Sequence, residues 1–127
     1  MNIRTIGLLL IALTELPALA LADGDAVKGE KVSKKCVACH QFAKPENRIG
    51  PHVVGLLSRP LASVEGYKYS EAMTNYAKTV PVWDDIALSA YLENPRGAVP
   101  GTKMAFGGLK KEEERADLIA YLKSITK

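Results

Sequence analysis

The apolar residues of this chain follow a helical spacing, and the pattern is clearest at the C-terminal end. From Lys110 to Thr126, apolar residues recur three or four positions apart, at Leu118, Ile119, Leu122 and Ile125. Glutamates stand in the first turns of this segment and Lys123 near its end, which suits the dipole of a helix. The pattern therefore predicts a final helix over these residues.

Capping residues predict three shorter helices upstream. Asp23 and Asp25 can cap a first helix that runs toward Lys35. The apolar face of this helix is expected to carry Ala26, Val27, Gly29 and Val32.

The second and third helices are expected in the middle of the chain. Ser70 can cap a helix from Glu71 to Ala77, and Asp84 can start another that Pro95 ends. The apolar stripe of the second helix consists of Met73, Tyr76 and Ala77.

Two segments rich in proline and glycine, 44–60 and 97–108, interrupt the helical pattern. No stretch reads as a convincing buried strand, so we expect an all-α fold in one domain. Irregular segments of this length are uncommon in a small domain. Loops that wrap around a bound apolar group would account for them.

The first 22 residues have the organisation of a secretory signal peptide. Arg4 precedes an apolar run from Ile6 to Leu13, and the segment closes on the small-x-small sequence Ala20-Leu21-Ala22. The run is too short to cross a bilayer, although it could remain as an uncleaved amphipathic helix. We expect cleavage after Ala22, export to an oxidising compartment, and a mature domain of residues 23–127.

The chain has only two cysteines, Cys36 and Cys39, and His40 follows them directly. A zinc site needs about four ligands, and only these three residues and His52 are candidates. A redox dithiol is typical of a βαβ setting, which the pattern does not show. Covalent haem attachment uses all three residues, because the two thiols add to the haem vinyl groups and the histidine ligates the iron. The sequence favours haem c, with a chance match of this short motif as the alternative.

A haem held by His40 could take His52, Met73, Met104, a lysine or nothing as its sixth ligand. Met73 fits an apolar helix stripe and His52 a surface loop. Met104 lies in the loop sequence PGTKM, where no helical periodicity explains an apolar residue. Binding to the iron would give this loop methionine a use, because a thioether ligand favours ferrous iron and raises the reduction potential. Met104 is therefore the favoured candidate.

Six stretches give the chain a specific family resemblance: GEKVSKKCVACH, GPHVVGLLSRP, EGYKYSEAM, AYLENP, VPGTKMAF and ERADLIAYLK. In their order and spacing the chain resembles a small class I cytochrome c, of the bacterial type close to mitochondrial cytochrome c. The resemblance implies an all-α fold whose loops wrap one covalently bound haem. It also implies that the N- and C-terminal helices cross at close contact, with Gly29 facing Leu118 and Tyr121.

The resemblance also implies a role for each residue of the site. Cys36 and Cys39 would carry the thioether bonds, and His40 and Met104 would be the axial iron ligands. Pro51 would accept a hydrogen bond from the other ring nitrogen of His40. The other implied contacts are Tyr91, with its hydroxyl near the Met104 sulfur, and the propionate partners Arg59, Tyr69, Trp83 and Thr102.

With both axial positions filled, the iron offers one-electron exchange and no vacant site for a substrate. We therefore expect an electron carrier and not an enzyme. A haem enzyme or gas sensor has no use for PGTKM, and a haem-anchored binding subunit would need a second domain or a large apolar patch.

The resemblance further implies a periplasmic monomer that exchanges electrons with membrane complexes and does not bind nucleic acid. The upstream partner would be a quinol–cytochrome c reductase or a periplasmic dehydrogenase, and the downstream one a terminal oxidase or photosynthetic reaction centre. The formal charge of +3 is too small for strong overall attraction. We expect basic residues around the haem edge to meet acidic partner surfaces, and the acidic run 112–114 to lie elsewhere. The basic residues are Lys34, Lys35, Arg96 and Lys103.

Five positions depart from the family pattern. Ser33 stands where the family usually has an aromatic residue beside the helix crossing. Ser58 and Ala62 replace common glycines, and Gly97-Ala98 replaces a basic and an aromatic residue. The departures place the turn after Leu57 in question and remove one charge from the basic face.

Overall fold

The computed structural model describes residues 23–126 and contains five α-helices joined by long irregular segments. The helices are α1 (Ala26–Ser33), α2 (Glu71–Thr79), α3 (Asp85–Glu93), α4 (Pro95–Ala98) and α5 (Glu112–Ile125). Within this part of the chain, the only β-type pairing is an isolated bridge between Pro60 and Val82. The all-α prediction is confirmed, whereas the predicted leader, 1–22, lies outside the described residues. None of these helices has both the length and the apolar character needed to span a bilayer.

Asp25 caps the start of helix α1, and its carboxylate accepts hydrogen bonds from the backbone N–H groups of Val27 at 2.8 Å and Lys28 at 3.1 Å. The helix ends at Ser33, earlier than predicted, and tighter turns continue the chain toward Cys36. Val27 was wrongly placed on the apolar face, since it is 68% exposed. The buried face instead consists of Gly29, Val32 and Ser33, which lie three and four positions apart.

The crossing of α1 and α5 was predicted correctly and depends on Gly29. A Cβ atom at this position would overlap the backbone carbonyl of Asp117 and lie 2.8 Å from the Cβ of Tyr121. Tyr121 therefore faces Gly29 as expected, and the nearest atoms belong to the Asp117 carbonyl, which is bonded to Leu118. The carboxylate of Asp117 accepts a 2.7 Å hydrogen bond from the N–H of Asp25, which fixes the start of α1 against α5.

Ser33, the departure beside this crossing, is buried with only 4% of its surface exposed. Its hydroxyl donates to the carbonyl oxygen of Glu30 at 2.7 Å, within the same helix. The polar atom is therefore satisfied, and its burial does not leave an unpaired donor.

Side-chain caps define α2, α3 and α4. The Ser70 hydroxyl accepts from the N–H of Met73 at 3.0 Å, and the Asp84 carboxylate accepts from that of Ala87 at 2.7 Å. Pro95 follows the end of α3 as predicted, but it also begins α4, which the sequence analysis did not predict. The Asn94 side chain caps this short helix at the N–H of Gly97, and proline suits a first helical position.

The buried core lies between α1, α3, α5 and the loops. Its apolar members include Val32, Leu61, Trp83, Leu88, Tyr91, Leu92, Val99, Leu109, Leu118, Ile119 and Leu122. Arg115 is the buried cation of this region, at 7% exposure. Its guanidinium donates to the carbonyl oxygens of Leu109 and Lys110 and to the hydroxyl of Ser89, so the segment before α5 is held against α3.

The turn after Leu57 is retained despite the two replaced glycines. Ser58 ends a 3-10 turn, Leu56–Ser58, and needs no unusual backbone angle. Ala62 does, because its φ is 59°, and it is the only non-glycine residue with positive φ in the described chain. An L-residue in this left-handed region costs roughly 1–2 kcal/mol, because the Cβ crowds the following carbonyl.

We predict that Ala62→Gly stabilises the protein. Release of the strain is offset by the larger entropy of glycine in the unfolded chain, about 0.4–1 kcal/mol, so a net gain on the order of 0.5–1 kcal/mol is expected. Chemical denaturation of the two proteins measures it. Ala43→Gly is the matched control, since exposed Ala43 has no positive φ and glycine there should destabilise. Equal effects of the two substitutions would contradict the strain at Ala62.

Candidate haem-binding site

A cavity of about 530 Å³ lies at the centre of the fold and reaches the surface. This volume is in the range of sites for sizeable organic ligands. Many of its lining residues are apolar, contributed by α2, α3, α5 and the loops between them. All ten residues selected from the sequence line it: Cys36, Cys39, His40, Pro51, Arg59, Tyr69, Trp83, Tyr91, Thr102 and Met104.

The two cysteines lie on the turns that follow α1. The N–H of His40 donates to the carbonyl of Cys36 at 2.9 Å, so one helical turn presents both thiols and the imidazole to the cavity. Both cysteines are half-buried and are not joined in a disulfide. Burial raises the pKa of the Cys36 thiol, so it stays protonated in the absence of a bonding partner.

The loop after the cysteines holds the imidazole of His40. The ring Nδ1 lies 2.7 Å from the carbonyl oxygen of Pro51, which can only accept, so Nδ1 carries the proton. Gly50 packs directly against the ring, where a Cβ would overlap the imidazole. This arrangement leaves Nε2 of His40 as the nitrogen free to bind a metal. Within residues 23–126, no group of three His, Cys, Asp or Glu side chains is placed to hold a metal.

Met104 lies in the loop between α4 and α5. The hydroxyl of Tyr91 lies 3.4 Å from the Met104 sulfur and 3.1 Å from the hydroxyl of Thr102. The N–H of Met104 also donates to the Thr102 hydroxyl, at 3.3 Å. Burial raises the pKa of the Tyr91 phenol, so it remains a neutral donor. The thioether thus accepts a hydrogen bond from Tyr91 of α3, and the backbone of Met104 is held by Thr102 of its own loop.

The other polar lining groups are held by backbone contacts. The guanidinium of Arg59 donates to the carbonyl oxygens of His52 at 2.8 Å and Val54 at 3.4 Å. The hydroxyl of Tyr69 accepts from the N–H of Val64 at 3.2 Å, which leaves its own proton available to another acceptor. The Trp83 ring is buried beside Tyr91, with 5.0 Å between ring centroids.

His52 differs from the surface loop residue that was expected. It is half-buried, it lines the cavity, and its Nδ1 is buried without a hydrogen-bond partner in the described chain. Burial lowers the pKa of His52, and the nearby Arg59 lowers it further. The imidazole is therefore held in its neutral form.

The sequence analysis missed several apolar lining residues. Met73 packs against the core as expected, but it also lines the cavity, as do Tyr67, Phe106 and Leu118. A helical stripe shows that a side chain is buried and does not show what it is buried against.

These residues fit a haem c. The cavity has the size and apolar lining that a porphyrin needs, and the residues that line it include both cysteines, His40 and Met104. The hydrogen bonds at His40 and Met104 orient both donor atoms without a bound metal. Fold and site together define a protein of the c-type cytochrome class.

Comparison with known proteins identifies the family. The sequence model of the family described as Cytochrome c matches residues 26–126. The chain is 51% identical over 109 residues to a cytochrome c of Gibberella zeae, which covers 84% of this chain and 100% of that protein. It is 48% identical over 108 residues to a cytochrome c2 of Rhodomicrobium vannielii, covering 83% of this chain and 82% of that protein.

A solved structure is also similar. The structure of cytochrome cH from Methylobacterium extorquens aligns with a TM-score of 0.72 and 38% sequence identity, over 80% of this chain and 99% of that one. The chain therefore belongs to the cytochrome c family, as the resemblance implied. Proteins of this family are electron carriers and not enzymes, and the cysteine pair of this chain carries covalent haem c.

We predict that His52 makes the protein less stable in acid. Because the folded protein lowers the pKa of His52, the unfolded chain binds its proton first as the pH falls through about 6.5. Stability is then lost from about that pH down to the lower pKa of the folded state. His52→Gln should weaken this loss, measured as the difference in unfolding free energy between about pH 7.5 and pH 5. His40 is present in both proteins, so its contribution cancels, and identical pH profiles would refute the role of His52.

Proposed function

We propose that the protein is an exported one-electron carrier of the periplasm that uses a haem c ligated by His40 and Met104. The observation that supports this most directly is the pair of oriented donors in one cavity, with His40 held by Pro51 and Met104 held by Tyr91. When bound, the haem supplies one-electron chemistry at its iron. Both axial positions would be filled, so neither a substrate nor oxygen would have a site on the metal.

Each lining residue has a role in this proposal. Cys36 and Cys39 would form the two thioether bonds. The carbonyl of Pro51 would fix the orientation of the His40 ring and increase its basicity. The hydroxyl of Tyr91, which donates to the Met104 sulfur, would further reduce the weak electron donation of a thioether and so favour the reduced state.

The haem propionates would meet the polar part of the cavity. Arg59 contributes a positive charge there, and Tyr69 has a hydroxyl proton that the N–H of Val64 leaves free. Trp83 contributes a ring N–H, and Thr102 a hydroxyl whose proton is directed to the Tyr91 oxygen, among the lining residues. Two ionised carboxylates need such donors when they are buried, because desolvation is otherwise costly.

The proposed location depends on the sequence of the leader. Removal of residues 1–22 would release the domain into the oxidising periplasm, and the similarity to the cytochrome c2 of Rhodomicrobium vannielii supports a bacterial exported protein. There the protein would work as a monomer, without nucleic acid. Its partners would be membrane redox complexes: a quinol–cytochrome c reductase, or else a periplasmic dehydrogenase, upstream, and a terminal oxidase or photosynthetic reaction centre downstream.

Docking would occur at the mouth of the cavity. Lys35 and Lys103 line the cavity, whereas Lys34 and Arg96 are not among its lining residues and would extend the basic face outward. A small charged interface of this kind gives fast, short-lived complexes with acidic surfaces. Salt at physiological concentration should weaken them, because charges are screened over about 8 Å.

Covalent attachment is tested by mass spectrometry of the protein purified from a periplasmic fraction. After denaturation and acid extraction, we expect one haem to remain on a chain that begins at Asp23, and no free thiol at Cys36 or Cys39. A disulfide between the cysteines would refute attachment. A chain that still carries residues 1–22 would refute only the processing.

Met104 is tested against the second methionine of the cavity. We predict that Met104→Ala lowers the reduction potential and lets the ferric protein bind cyanide, because the sixth position opens. Met73→Ala also removes a cavity-lining thioether, but it should leave ligation unchanged. Optical spectra, redox titration and cyanide titration of both variants decide the matter. If Met73→Ala alone opened the site, Met73 would be the ligand.

A further inference from the structure

The sequence analysis expected the acidic run at the start of α5 to lie apart from the basic face. In the structure the two are in contact. The ammonium of Lys35 lies 3.1 Å from each carboxylate oxygen of Glu114. The reason is the crossing of α1 and α5, which brings the first turns of α5 beside the segment that follows α1. Lys35 also lines the cavity, so a lysine at the cavity mouth forms an ion pair with a carboxylate of the same chain.

The neighbouring pairs show that this arrangement is specific. Glu113 pairs with Lys28 at 3.1 Å, but neither residue is among those that line the cavity. Lys103, the other lysine of the cavity lining, donates at 3.4 Å to the backbone carbonyl of Lys68, which is neutral. Of the two cavity-lining lysines, only Lys35 therefore has its charge matched by a carboxylate among the described residues.

The Lys35–Glu114 pair is also accessible. The side chains are 49% and 29% exposed, so solvent and an approaching surface can reach the ammonium. Exposed ion pairs are weak, because water screens them and two long side chains must be ordered. A pair of this strength can be replaced by another carboxylate without a change in the helices.

We propose that Glu114 is an internal competitor for Lys35, which a carboxylate-bearing partner surface must displace in order to dock. This inference rests on the proposed electron-carrier function and names the group that limits association at its docking face. An acidic partner exchanges the internal pair for an intermolecular one. A neutral or basic surface leaves the pair closed, so Glu114 discriminates between partners by their charge at this one position.

The test measures binding of a hexaglutamate peptide to the haem-loaded protein by NMR titration at low ionic strength. Glu114→Gln should tighten binding roughly two- to fivefold, the factor that corresponds to a surface ion pair. Glu113→Gln is the matched control, with the same change in charge at the adjacent residue and helix turn. It should tighten binding less, and added salt should remove the difference.

A double-mutant cycle assigns the effect to Lys35. Lys35→Gln should weaken binding, and Glu114→Gln should give no further gain in that background. Equal gains from Glu113→Gln and Glu114→Gln, or a full gain without Lys35, would overturn the proposal in favour of net charge alone. If Glu114→Gln lowered the stability of the protein and left binding unchanged, the pair would only fasten α1 to α5, and the proposal would be overturned. The electron-carrier function would fail separately, if redox titration of the same samples showed no reversible one-electron step.

Discussion

The structure depends on an apolar cavity that its own side chains do not fill. The residues that form the hydrophobic core also line this space, among them Leu61, Trp83, Leu88, Tyr91, Leu92, Leu118 and Leu122. Protein interiors are packed as densely as organic crystals, and an unfilled space forfeits those contacts. A covalently attached haem completes the core of this small domain. The attached haem stays on the unfolded chain, but its apolar surface would be buried only in the folded protein, so its burial would favour folding.

The sequence predicted the features that depend on neighbouring residues. Asp25, Ser70 and Asp84 cap helices within one turn of themselves, and the cysteine–histidine motif occupies a single turn, so its chemistry can be read from spacing. The crossing at Gly29 came from the family resemblance. Its tightest contact, with the backbone carbonyl of Asp117, could not be predicted, because side-chain periodicity does not show which backbone atoms a glycine approaches.

Features that depend on contacts between distant segments were missed. The short helix α4 is an exception, because its signals, a proline and a capping asparagine, are both local. It was missed because these residues directly precede an irregular segment. The burial of His52 and the Lys35–Glu114 pair arise where separate segments meet, and no periodicity records such a meeting. Ala62 is a clearer case. The missing glycine was evident from the sequence, yet only the backbone shows that the turn persists with a strained residue.

An electron carrier needs ligands that hold their positions in both oxidation states, and the Met104 segment is irregular. Its ends are nevertheless fixed. The N–H of Thr102 donates to the carbonyl of Val99 at 3.0 Å, and that of Leu109 to the carbonyl of Leu92 at 2.7 Å. The buried guanidinium of Arg115 then takes the carbonyl oxygens that follow, at Leu109 and Lys110. Donors and dipoles that are already in place need no rearrangement when charge changes at the metal. The loop thus gains from α3 and α5 contacts that its own backbone lacks, and these would hold the Met104 thioether in place as the proposed ligand in both oxidation states.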